Sequence, residues 1–354
     1  MASTTLKGTI VLTGANGSLG TCIVAKIASS YELASNYYGI YAVRDSSSAP
    51  ALLKALQPRQ KSISHSHEVI SLNLERLENV REVATNINNR VSKGEIPAIR
   101  ALVLNAGYLE HEQQTWVDGG LDATWAVNYL SQWLLTLLLL RSMDRENGRI
   151  VVLGSHLHDP YDEFNSGVMG GYFDDDKWKT FLTDSIEPIA KGTWSSRQED
   201  PSWQGGLRRY GASKLCLAMM IGELQQRLNE DPLLSNITVL GIDPGWMATG
   251  IARRHPSYSF IRIIMPWVAS ALSWLKPSSM FRTPNQSAEN VTAVMFGNND
   301  ATSGAKPKGL YFKGTMQAEV STEARDKDKR QMVWRDSVGY AKLKEGDTIL
   351  MNWR

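Results

Sequence analysis

Tyr210 and Lys214 stand four positions apart in the run Arg209-Tyr210-Gly211-Ala212-Ser213-Lys214. On a helix that spacing puts a phenol and an ammonium on one face, one turn apart. An ammonium beside a phenol favours the phenolate, so Tyr210 is expected to titrate below its ordinary value of about 10. A phenol so placed can pass a proton to a nascent alkoxide. Upstream, the apolar run 149–153 leads into Gly154-Ser155, a hydroxyl at the C-terminal end of an expected strand. There Ser155 can hydrogen-bond a carbonyl and hold the developing oxyanion. The chemistry this set suggests is reduction of a carbonyl, or the reverse oxidation.

Hydride chemistry needs a carrier. Residues 9–12 form a β-type apolar run that passes directly into Thr13-Gly14-Ala15-Asn16-Gly17-Ser18-Leu19-Gly20 and then into a helical pattern. Glycines allow a tight turn and close backbone approach, and a helix N-terminus offers N–H groups to a pyrophosphate. The second strand ends Val43-Arg44-Asp45-Ser46. At that end, about 20 residues past the glycines, an acidic residue suits the 2′-hydroxyl of NAD, whereas arginine suits a 2′-phosphate. Arg44, with Ser46 as a second donor, favours NADPH. Asp45, one residue along, keeps NADH as the alternative.

The elements that must position these groups alternate. Strand candidates are 9–12, 39–43, 68–72, 101–104, 149–153, 237–242 and 310–312; helices are expected at 19–30, 77–91, 121–142 and 209–229. This alternation predicts an α/β fold, a Rossmann-type doubly wound parallel sheet, in a single domain over residues 1–315. Two segments break the rhythm: an insertion at 156–208, between Ser155 and Tyr210, and a substrate loop at 251–287. Both follow the C-terminal end of a strand, the ligand edge of an open parallel sheet. The insertion is rich in aromatic residues (Tyr172, Phe173, Trp178, Trp194, Trp203), which either line an apolar pocket or form a small core of their own. Residues 316–354 form a charged C-terminal extension to which the sequence assigns no role.

In chain order, the Gly14/Gly17/Gly20 turn, Asn105-Ala106-Gly107, Asn128, Ser155, Tyr210-x-x-x-Lys214 and Asp243-Pro244-Gly245 resemble the short-chain dehydrogenase/reductase family. The likeness extends from Thr9 to about Gly314. It implies that Asn105, Ala106 and Gly107 pack against the adenosine side, and that Asn73 and Leu74 lie near adenine. It implies that Asn128 holds a water in a proton relay with Lys214, which also binds the nicotinamide ribose. Pro244, Gly245, Met247 and Thr249 would contact the nicotinamide carboxamide and pyrophosphate. The segment Arg282-Thr283-Pro284-Asn285-Gln286-Ser287-Ala288 looks like that of retinol-dehydrogenase-type and fungal 3-ketosteroid-reductase-type members, which act on apolar carbonyls.

The sequence departs from the pattern in places. Ser18 stands where the single-domain branch has glycine, and the resulting spacing is that of the sugar-nucleotide-modifying branch. A nucleotide-sugar epimerase or dehydratase is therefore an alternative, although the apolar run 263–275 lacks the basic residues a diphosphate would want. A non-catalytic NADPH sensor is a second alternative; against it, Asn128, Ser155, Tyr210 and Lys214 are all present.

Bulk properties narrow the partners. With 354 residues the chain can bury a large core, and 38 basic against 36 acidic residues give no reason to expect nucleic acid. Two cysteines, Cys22 and Cys216, cannot build a disulfide framework, and residues 1–8 lack a secretory apolar run, so a cytoplasmic location is expected. The uncharged stretch 123–140 approaches membrane-spanning length, but Asn128, Ser131 and Gln132 interrupt it and sheet segments flank it, which suits a buried helix. Residues 259–275 are read as pocket wall, with peripheral membrane contact as the alternative. The pairs His65/His67 and His156/His158 have no third ligand, so no metal is expected. Helices 121–142 and 209–229 are the candidate homodimer face. The expected partner is a small apolar carbonyl or alcohol.

Overall fold

The computed structural model describes residues 6–57, 64–165, 171–247, 280–297 and 306–354. Its central sheet contains β1 (Gly8–Thr13), β2 (Tyr37–Val43), β3 (His67–Ser71), β4 (Ile99–Leu104), β5 (Arg149–Leu153), β6 (Thr238–Asp243), β7 (Tyr311–Lys313) and β8 (Met316–Ala318). They lie in the order β8-β7-β6-β5-β4-β1-β2-β3. The pairings are parallel except β7 with β8. The order reverses between β1 and β4, which opens a crevice at the strands' C-terminal ends.

Side chains alternate across the sheet and feed two cores. From β1, Ile10 and Leu12 join Ile23 and Ile27 of α1 (Ser18–Ser29), whereas Val11 faces the opposite layer. That opposite layer contains α2 (Leu77–Ser92), α3 (Ala123–Ser142) and α4 (Trp203–Glu230). Burial on both faces is why β1, β4, β5 and β6 read as near-continuous apolar runs. A further helix, α5 (Pro284–Phe296), packs on α1 and starts with a full capping box between Thr283 and Gln286.

The helix α3 is long and apolar enough to cross a membrane, yet its apolar stretch is buried inside the protein. Its outer cover is the tail that sequence left unassigned. In α6 (Lys327–Tyr340), Trp334 packs edge-on against Trp133 of α3 at 5.2 Å and donates from Nε1 to the Trp353 carbonyl at 2.8 Å. Tyr129 and Ser337 share a hydrogen bond of 2.9 Å, and Arg81 pairs with Asp347 at 2.7 Å. Both helices expected at a homodimer face therefore pack against the chain's own extension, α4 through Arg227, whose guanidinium lies 4.5 Å from the Trp334 ring centre.

The helix carrying Tyr210 begins earlier than its sequence pattern suggests, at Trp203 after the Ser202 cap. Gly205 and Gly206, which lower helix propensity, obscure that start; Gly206 is needed because any Cβ there would strike the Glu110 carbonyl. Arg208 and Arg209 then pin the insertion to the helix. Arg209 donates to the carbonyls of Ser195 and Gln113, each at 2.8 Å, and Arg208 donates to the Tyr172 carbonyl at 3.0 Å. Phe173, Phe181, Trp178 and Trp194 pack on one another in the insertion's own core.

Candidate active site

At the β1/β4 crevice the Gly-rich turn is tied to the end of β4. Thr13 Oγ1 accepts from the N–H groups of Asn105 and Ala106, each at 3.0 Å. Asn105 Nδ2 donates to the carbonyls of Thr13 and Gly14 at 2.9 and 3.1 Å. Gly14 has φ +65°, and a Cβ on it would sit 2.7 Å from Ala106 Cα. Only glycine satisfies both demands. No side chain caps α1 at Gly17, so its N-terminus is left for backbone donation into the crevice. Such a cradle fits a pyrophosphate. Asn16 lines the same crevice, with its Oδ1 accepting from the Leu52 N–H at 3.0 Å.

The end of β2 sorts its polar groups. Asp45 turns onto Ser47, whose hydroxyl and N–H hold its carboxyl below the usual range. Ser46, expected as a second donor, is instead bonded through its N–H and hydroxyl to Ser71. Arg44 remains, half-exposed and paired with Glu75 at 3.0 Å. Ser48, which sequence reasoning passed over, joins Arg44 in the cavity wall. Asn73 and Leu74 line it too, with Asn73 Oδ1 accepting from the Glu75 N–H at 3.0 Å.

One cavity of about 890 Å³ runs from the Gly-rich turn past these groups to Ser155, Tyr210 and Lys214. Gly211 explains how the last three meet: a Cβ there would lie 2.5 Å from the Leu157 carbonyl, so α4 presses directly onto the turn after Ser155. That turn is fixed by Ser155 Oγ accepting from the Leu157 N–H at 3.3 Å. Lys214 Nζ lies 5.4 Å from the centre of the Tyr210 ring and donates to the Leu153 carbonyl at 2.8 Å.

Two expectations change here. Tyr210 was expected to titrate low, but burial pushes it up and the nearby Asp243 carboxylate adds to the rise. Lys214 moves the opposite way: burial pushes it down to about 8, with Asp243 pulling it back up. Desolvation disfavours both charged forms and is the largest influence on each. Asn128 is the second change. It sits in a π-helical turn of α3, Ala126–Leu130, and does not reach the cavity. Its amide accepts from the Tyr108 N–H at 2.7 Å and donates to the Tyr108 carbonyl and Ser213 Oγ, each at 2.9 Å. Its side chain braces the walls rather than facing the crevice.

Ala106, Gly107, Pro244, Gly245 and Met247 line the cavity. Thr249, the segment 259–275 and most of the loop 251–287 lie outside the described residues. Tyr172 and Trp203 of the insertion reach the cavity, while Trp178 and Trp194 stay in its core, so both readings of the aromatics hold in part. His156 lines the cavity; His158 does not, donating from Nδ1 to the Ser155 carbonyl at 2.6 Å. Asp243 and Trp246 are wall residues that sequence reasoning did not assign, although Asp243 opened one of its motifs.

Comparison with known proteins agrees with this geometry. Residues 8–163 match the family model for short chain dehydrogenase. Over 98% of this chain and 99% of the relative, the sequence is 42% identical to the short-chain dehydrogenase iccH of Talaromyces variabilis. The chain belongs to the short-chain dehydrogenase/reductase family. More distant family relatives include protochlorophyllide reductase A of Arabidopsis thaliana, 26% identical over 93% of this chain and 75% of that protein. Among solved structures, the fold resembles the angucycline C-6 ketoreductase LanV with bound NADP (TM-score 0.54, 18% identity, 87% and 94% of the two chains). It also resembles NADPH-bound carbonyl reductase from chicken fatty liver (TM-score 0.57, 14% identity, 89% and 99% covered). The family membership makes the chain an oxidoreductase.

Proposed function

We propose that this oxidoreductase is an NADPH-dependent reductase of a ketone or aldehyde on a small apolar molecule. The observation that carries the reading is that Ser155, Tyr210 and Lys214 share one cavity with the Gly-rich turn. Gly14, Gly17, Ser18, Leu19 and Gly20 would hold the pyrophosphate, and Arg44 with Ser48 would take the 2′-phosphate. NADPH, when bound, supplies the hydride. Tyr210 supplies the proton at its Oη, and its upward shift keeps it a phenol and therefore a donor across the neutral range. Ser155 Oγ orients the carbonyl, and Lys214 contributes positive charge beside the phenol.

Leu109, Leu157, Tyr172, Trp203, Leu207 and Trp246 supply an apolar and aromatic wall around this end of the cavity. That wall supports a polyketide, terpenoid or steroid-like carbonyl over a nucleotide sugar. The bound NADP and NADPH in two structures of similar fold support the choice of cofactor.

The test titrates NADPH and NADH by fluorescence, then follows NADPH absorbance with a panel of apolar ketones, for wild type and Tyr210→Phe. Tighter NADPH binding and a turnover that falls roughly 10²- to 10⁴-fold in the variant are expected. NADPH binding without turnover across the panel overturns the reductase reading, and failure to bind either nucleotide overturns the cofactor reading as well.

A further inference from the structure

Two formal charges line the cavity beside Ser155 and Tyr210: Lys214 and Asp243. They are 3% and 1% exposed. The other charged wall residues, Arg44, Asp45 and Glu75, belong to the ends of β2 and β3. The mechanism above uses Lys214 and leaves Asp243 without a task.

Asp243 has an unusual set of contacts for a buried carboxylate. Its Oδ1 accepts from the Gly245 N–H at 2.8 Å, which fixes the side chain at the mouth of β6. Its Oδ2 is buried and has no hydrogen-bond partner among the described residues. The nearest cation-capable atom, His156 Nδ1, is 3.9 Å away, beyond hydrogen-bond reach. A buried carboxylate with an unfilled oxygen is costly unless positive charge faces it.

The groups around it come from four elements. Lys214 of α4 bonds the carbonyl of Leu153, the register partner of Ile242 next to Asp243, and with Tyr210 feels the Asp243 charge, as do His156 and His158 from the turn after β5. Tyr311 and Lys313 face it from β7, and Arg282 from the segment before α5. Lys313 is committed to Asp162 at 2.6 Å, and Arg282 donates to the backbone carbonyl of Asp243, at 3.3 Å. Lys214, in turn, makes its hydrogen bond to a neutral carbonyl, that of Leu153. No carboxylate lies within ion-pair distance of it among the described residues.

We propose that Asp243 is the counter-charge of this site, a positioning residue that holds Lys214 in its cationic form beside Tyr210. The same carboxylate discourages ionisation of Tyr210, so one buried charge favours the protonated form of both partners. Both are the forms that reduction requires, which is where this inference rests on the reductase reading. The charge arrangement itself can be measured without cofactor or substrate.

The experiment is an NMR titration of the full chain carrying lysine labelled with ¹⁵N at Nζ, the Lys214 signal being identified by its loss in Lys214→Arg. Lys214 is expected to titrate at about 8 in wild type. Asp243→Asn should move that midpoint down by roughly one pH unit, and Asp243→Glu should restore it. The basic limb of kcat/KM should move down by the same amount. An unchanged Lys214 midpoint in folded Asp243→Asn overturns the proposal. Should that variant fail to fold, the ¹³Cγ shift of Asp243 in wild type provides the reading. It should step at the Lys214 midpoint if the two charges are coupled, and a flat trace there overturns the proposal. Absence of carbonyl turnover in wild type would remove the reductase reading while leaving the titration result intact.

Discussion

His158 donates from Nδ1 to the backbone carbonyl of Ser155 at 2.6 Å, while its Nε2 accepts from the N–H of Ser321 at 3.1 Å. The imidazole is thus neutral with its proton on Nδ1, and it links the turn carrying the oxyanion hydroxyl to the C-terminal extension. Replacing it by alanine leaves the buried Ser321 N–H unpaired, at a cost of about 1–3 kcal/mol, and leaves the Ser155 carbonyl with the backbone N–H of residue 158. His158→Ala should lower the urea midpoint and reduce kcat, while the Kd for NADPH stays near wild type.

The same residue sets a pH dependence. Burial pushes His158 below the ordinary 6.5, and burial pushes His65 down to about 4. The unfolded chain therefore binds protons that the folded chain refuses, and stability rises with pH across that interval. Their contribution is complete above pH 6.5 and declines as pH falls toward about 4. Urea midpoints at pH 7.5, 6 and 5 should decrease in that order. A flat or rising series toward acid would contradict the assignment.

Arg44 is the only arginine or lysine at the β2 end of the cavity wall among the described residues, and it is held by Glu75. Charge-assisted bonds to a phosphate are each worth about 1.5–3 kcal/mol. Arg44→Ala should weaken NADPH roughly 10- to 100-fold and leave NADH nearly unchanged. Glu75→Gln, which frees the guanidinium, should tighten NADPH. Fluorescence titration with both nucleotides decides.

Gly211 sits where α4 presses on the Leu157 carbonyl. Gly211→Ala must push the helix away from the Ser155 turn, and Tyr210 moves with it. A fall in kcat greater than tenfold is expected, with NADPH affinity retained because the Gly-rich turn is untouched. Equal kcat in the variant would mean that this close approach does not set the catalytic geometry.

Trp334 is 1% exposed and fills the space over Trp133. Trp334→Ala should cost about 3–5 kcal/mol in chemical denaturation. Removal of residues 327–354 should uncover α3 and give an aggregating product by size-exclusion chromatography, since Trp133 and its apolar neighbours on that helix would lose their cover.

The amino-acid sequence by itself determined the seven parallel strands, the position of the Gly-rich turn and the pairing of Tyr210 with Lys214. Each of these is local: near-continuous apolar runs in the strands, glycines in a strand-to-helix turn, and a four-residue helical spacing are all written in neighbouring residues. The family resemblance was legible for the same reason, because its motifs are short. Only the tertiary structure decided the rest. The direction of the Tyr210 and Lys214 shifts depends on burial and on Asp243, which is distant in sequence from both. The bracing role of the Asn128 amide depends on Tyr108 and Ser213 meeting it across two elements. The tail gained its place because Trp133 and Trp334, some 200 residues apart, complete one core. Helix α4 starts at Trp203 because Arg208 and Arg209 find partners in the insertion, and those contacts outweigh the weak helix propensity of Gly205 and Gly206.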